Sequence, residues 1–74
     1  AYSIRGAGPV SIEVYDVSGR VVRTLLDSEL EAGAEGFVVW DGTDDGGAKC
    51  ASGVYFYRMA APGFSSTRKM LMLK

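Results

Sequence analysis

The run Val38-Val39-Trp40-Asp41-Gly42-Thr43-Asp44-Asp45-Gly46-Gly47, followed by Ser52-Gly53-Val54-Tyr55-Phe56-Tyr57-Arg58, limits this chain to β-structure more firmly than any other feature. An apolar strand closes on a tryptophan, breaks into an acidic, glycine-rich loop, and restarts as an aromatic strand. β-Branched and aromatic side chains suit a half-buried pleated surface, whereas Gly and Asp clusters end it. No catalytic constellation flanks the loop.

The same rhythm runs through the rest of the chain. Residues 10–16 alternate with period two, so Val10, Ile12 and Val14 should face a core while Ser11 and Glu13 face water. Asp16 can accept hydrogen bonds from turn amides and Gly19 can take positive φ, so residues 16–19 reverse the chain. Residues 20–26 form a second β-branched run, and the two read as a hairpin. Neither face of that second run is cleanly apolar, which predicts a bulge or a twisted edge. Residues 27–33 read as a crossing loop, because the segment is too short for a stable helix and Gly33 ends it. Residues 35–40, 53–60 and 65–73 complete the strands, with Ala61-Pro62-Gly63 as a type II turn. Residues 1–5 look like part of a strand, closed by Gly6-Ala7-Gly8-Pro9. Trp40, Tyr55, Phe37 and Tyr57 should supply most of the core volume.

Seventy-four residues leave room for one domain, residues 1–74, and one small core. A chain of that length buries only about 60% of its unfolded surface. Hydrophobic residues at 47% and charged residues at 23% fit a folded domain rather than disorder. These segments, with turns about every ten residues, predict an all-β fold: a small antiparallel immunoglobulin-like sandwich of about six to seven strands.

Composition also narrows the chemistry. There is no histidine, and Cys50 is the one cysteine, which removes the commonest general base, Cys/His nucleophile pairs and any internal disulfide. Asp16, Asp27, Glu29 and Glu31 sit in hairpin and loop positions without a cleft to work in, so no enzyme is expected. Asp41, Asp44 and Asp45 could supply oxygen ligands to Ca²⁺, but their spacing is not that of an EF-hand loop, whose twelfth position here is Ser52. Turn capping is the better reading, and no cofactor is expected. Arg20, Arg23, Arg58, Arg68, Lys69 and Lys74 read as solvated strand faces, and with a net charge of −1 no nucleic-acid partner is expected. No apolar run approaches the roughly 20 residues that span a bilayer, so no membrane insertion is expected, and no signal peptide is visible. The chain starts at Ala1 without a Met, and is expected to be processed or part of something larger.

Five motifs in order carry a resemblance. They are Val-Tyr-Asp-Val-Ser-Gly-Arg-Val-Val-Arg-Thr-Leu at 14–25, Ala-Gly at 32–33, Val-Val-Trp-Asp-Gly-Thr-Asp at 38–44, Ala-Ser-Gly-Val-Tyr-Phe-Tyr-Arg at 51–58 and Lys-Met-Leu-Met-Leu-Lys at 69–74. The whole resembles the immunoglobulin-like domain of the flagellar hook-capping protein family, and equally the C-terminal sorting domains of the type IX secretion system. The second resemblance implies a non-enzymatic C-terminal module of a larger secreted protein, at the cell surface or outside the cell, recognised by secretion machinery. The first implies structural assembly, packing on protein subunits or on copies of itself through strand edges. The expected partner surface is Lys69, Met70, Leu71, Met72, Leu73 and Lys74, because that strand is apolar on both faces and a two-layer fold covers only one.

Overall fold

The computed structural model describes residues 2–3 and 6–73, and the predicted hairpins organise it. Among these residues six strands follow in order: β1 (Tyr2–Ser3), β2 (Gly8–Tyr15), β3 (Val21–Leu30), β4 (Glu35–Gly36), β5 (Gly53–Ala61) and β6 (Phe64–Met72). Four of them make one antiparallel sheet in the order β3-β2-β5-β6, and β1 pairs with β4 in a separate two-stranded ladder. The fold is all-β, as expected.

Both tight reversals use the residues that the sequence put there. Asp16 Oδ1 accepts the amides of Ser18 (2.9 Å) and Arg20 (3.1 Å), and Gly19 takes φ 87°. Between β5 and β6, Gly63 follows Pro62 at φ 71°, the sign a type II turn demands at that position. The β2–β3 ladder shifts register between Ile12 and Glu13 and again between Val14 and Tyr15, which is the predicted bulging. The two extra residues on β3, Leu25 and Val22, are what let a run with no clean apolar face stay paired.

The core is a single row. Val10 and Val14 are 1% and 0% exposed, and Ile12 and Tyr55 are also buried. All three β2 residues project from the same side of the central strand, where side chains on both neighbouring strands shield them. Ile12 lies opposite Leu26 on β3 and Met59 on β5. Over this face lies the segment 37–40. Trp40 meets Tyr55 edge to face, with ring centroids 5.0 Å apart, and donates from Nε1 to the Thr43 carbonyl at 2.8 Å. A cavity of about 210 Å³ stays open between the layers, lined by Tyr2, Ile12, Leu25, Val38 and Trp40.

Three expectations need correction. Residues 27–30 belong to β3 rather than to a crossing loop, because Gly8–Ser11 of β2 pair with them: Gly8 faces Leu30, and Ser11 faces Asp27. A ready ladder partner outweighs the local turn preference of the acidic residues. Among the described residues the strand expected at 35–40 is paired only at Glu35–Gly36, where Gly36 lies opposite Tyr2 and Glu35 opposite Ser3. Phe37 is 76% exposed rather than in the core. Residues 38 and 40 take the inward positions of that extended segment, and the period of two leaves 37 and 39 outside.

Ile12→Ala should cost about 3 kcal/mol, while Phe37→Ser should stay within about 0.5 kcal/mol. Denaturant midpoints of the two variants measure this directly. Equal losses would mean that the inward row of β2 is not the core.

Candidate functional site

The acidic loop is a small hairpin of its own. Thr43 and Lys49 form a β-bridge, Asp44 N–H donates to the Ala48 carbonyl (2.8 Å), and Cys50 N–H donates to that of Gly42 (2.8 Å). Each of the three candidate metal ligands is committed to this frame. Asp41 Oδ1 accepts from Thr43 N–H at 3.0 Å and from the Thr43 hydroxyl. Asp44 Oδ1 accepts from the amides of Gly46 and Ala48, both at 2.9 Å. Asp45 Oδ1 reaches outward to accept from Thr24 N–H at 2.9 Å. The carboxylates therefore diverge, and no group of three metal-binding side chains comes together among the described residues.

Asp45 does more than close a turn. Its own N–H donates to the Val22 carbonyl at 2.9 Å, so one residue brackets β3 at Val22 and Thr24 as another strand would. An edge strand's backbone groups otherwise template foreign pairing. Arg23, between those two positions, donates from Nη1 to the Asp44 carbonyl at 2.9 Å. This corrects the reading of Arg23 as a solvated cation: it is half-buried, and its shielded Nε has no acceptor among the described residues. The mixed faces of residues 20–26 were the available signal that something polar had to be housed there.

The opposite edge of the sheet is bare. β6 pairs only with β5 among the described residues, and its side chains alternate as its sequence requires. Met70 and Met72 are half-buried on the inward side, whereas Leu71 and Leu73 are 66% and 78% exposed and Lys69 is exposed too. Lys74, the last residue of the expected partner surface, lies outside the described residues. A groove of about 580 Å³ runs along this edge, with Met70 and Met72 on one wall and Trp40, Gly42 and Lys49 on the other. Gly42 is required there: its φ is 82°, and a β-carbon would sit 3.0 Å from Met72 Sδ. Sequence reasoning passed over Gly42 and Lys49, because only the loop's return path brings them to β6. Asp16, Asp27, Glu29 and Glu31 do not share a cleft, and no described helix is long and apolar enough to cross a membrane.

The Ser18 hydroxyl holds the Asp16 carboxyl below the ordinary aspartate value, with the Arg20 and Ser18 amides adding to it. The Thr43 hydroxyl does the same for Asp41. Carboxyls depressed in the folded state stabilise it fully above their unfolded value, and that stabilisation disappears as pH falls through the folded one. Thermal stability should therefore drop below about pH 4. Asp16→Asn combined with Asp41→Asn, which keeps an acceptor at each turn, should flatten that acid limb. An equally steep limb in the double variant would place the acid sensitivity elsewhere.

Because every loop carboxylate already serves an amide, chelator should leave the melting temperature within error. A loss restored by Ca²⁺ and not by Mg²⁺ would show instead that an ion is part of the folded state.

The comparisons with known proteins agree with this geometry. A family model described as FlgD Ig-like domain matches residues 4–63, from just after β1 to the β5–β6 turn. The match stops before β6, so it bears on the scaffold and not on the bare edge. No curated protein and no solved structure matches the chain. With an antiparallel β-fold, hairpin turns where the motifs put them and a match across most of its length, the chain belongs to the FlgD Ig-like domain family, a non-catalytic structural family related to the flagellar hook cap.

Proposed function

We propose that this chain is a protein–protein assembly module, working outside the cell without a cofactor, that docks on protein subunits through β6. The observation that carries this reading is the contrast between the two edges of the sheet. Asp45 brackets β3, while among the described residues β6 has no strand on its outer edge, beside exposed Leu71 and Leu73 and a methionine-lined groove. A free edge offers main-chain hydrogen bonds to an added strand, and pockets for alternate side chains supply selectivity. Methionine adapts to an imperfectly shaped partner better than branched side chains do. Family membership supports a structural role of the hook-cap kind.

Recognition by secretion machinery and attachment to the cell surface, the role implied by the sorting-domain resemblance, takes second place. It rests on the five motifs the two resemblances share and on the closing Lys69-Met70-Leu71-Met72-Leu73-Lys74, and the family match supports only the hook-cap side.

Leu71→Thr with Leu73→Thr tests the assembly reading. Both positions are exposed, so the melting temperature should hold while incorporation of the protein into its extracellular assembly falls about tenfold, as expected for losing one well-packed apolar contact. Incorporation at the parental level would place the contact surface elsewhere.

A further inference from the structure

All nine carboxylate side chains lie at or before Asp45, and five of the eight cationic ones follow it. The strand order β3-β2-β5-β6 turns that division of the sequence into a division across the sheet. One edge strand, β3, carries exposed Asp27 and Glu29, and the other, β6, carries exposed Arg68 and Lys69. The register places the decisive charges on one face. Asp27 lies opposite Ser11 and Glu29 opposite Pro9, on the side of β2 away from the Val10-Ile12-Val14 row. Lys69 lies opposite Phe56, which lies opposite Tyr15 on that same side. None of these charges has an ion-pair partner among the described residues, where the one salt bridge joins Arg20 to Asp16.

We propose that copies of this chain join head to tail, with β6 of one adding to the uncapped half of β3 in the next. The proposal rests on the assembly reading above and narrows its partner to a second copy. Strand parity allows it: in a four-stranded antiparallel sheet the two edge strands run oppositely, so β6 beside a neighbour's β3 continues the antiparallel alternation. Charge selects it. Pairing β6 with another β6 sets Arg68 and Lys69 against themselves, and pairing β3 with β3 does the same to Asp27 and Glu29, which is destabilising at directly opposed positions. The alignment that sets Lys69 opposite Asp27 also sets Met70 opposite Leu26 on the inward face and Arg68 opposite Ser28. It ends where Asp45 already holds Thr24 N–H, so the cap limits the register as well as the edge. Such a contact is heterologous, and it propagates unless its rotation closes a ring.

The test is sedimentation equilibrium of the chain and its charge variants. The parent should grow beyond a dimer with concentration, less so as salt rises, because exposed charges are screened over about 10 Å at 0.1 M. Lys69→Glu alone, and Asp27→Lys with Glu29→Lys alone, should each associate about tenfold more weakly. Mixed in equal amounts they should recover association, since each altered edge complements an edge of the other. Coincident melting curves, expected because all three positions are exposed, keep a folding defect from imitating the result. A parent that stays monomeric at millimolar concentration, a Lys69→Glu chain that associates like the parent, or a mixture that stays dissociated would each overturn the proposal. Docking on a different subunit would survive those results, because the Leu71/Leu73 variant reads it separately.

Discussion

Asp45 sets the constraint around which the rest of the molecule is arranged: a strand edge must have its amides and carbonyls answered. Its N–H and its carboxylate answer Val22 and Thr24, while the preceding carbonyl takes Arg23. Backbone polar groups shielded from water without partners are costly, so the loop's shape follows from the edge it serves. Glycine at 42 and 47 lets the chain make the reversals that bring the two aspartates there, at φ 82° and 86°. The acidic, glycine-rich composition accordingly serves main-chain geometry.

That device matters more in a chain this small. Among the described residues four apolar side chains are buried, and the layer over the sheet is a two-residue ladder followed by a segment without ladder partners. Apolar burial alone gives so thin a layer little hold. Side chains fasten it instead: Trp40 packs on Tyr55 and Arg23 donates to Asp44 between distant segments, while Trp40 to Thr43 and the Tyr55 hydroxyl to the Ala51 carbonyl at 2.7 Å fix the flanking chain locally. The domain is held from its rim inward as much as from its core outward.

Much of this was legible in the residues, where the determinant was local. Asp16 with Gly19, and Pro62 with Gly63, define their turns within four residues, and the alternation of residues 10–14 names the inward row outright. Capping by Asp41 and Asp44 was readable for the same reason, since each bonds amides two to four residues ahead. What stayed hidden depended on partners distant in sequence. The extension of β3 through Asp27 and Glu29 needs Gly8–Ser11 beside it, and Phe37 lies outside because Trp40 is drawn to Tyr55. Arg23 becomes an internal fastener only once residues 44–45 arrive. The placing of exposed Asp27 and Glu29 on one edge strand and exposed Arg68 and Lys69 on the other emerged only once the strand order was known.

The strand order also bears on how the chain comes together in time. β2 with β3, and β5 with β6, are joined by turns of a few residues, so each hairpin can close without the other. Joining them requires Tyr15 to meet Phe56 and Ser11 to meet Ala60. That loop is about three doublings longer than the β2–β3 turn and about four longer than the β5–β6 turn, an added closure entropy of about 2–3 kcal/mol. Pairing β2 with β5 is thus the contact that carries the larger closure cost, and the Val10-Ile12-Val14 row gains its cover from β5 only with it.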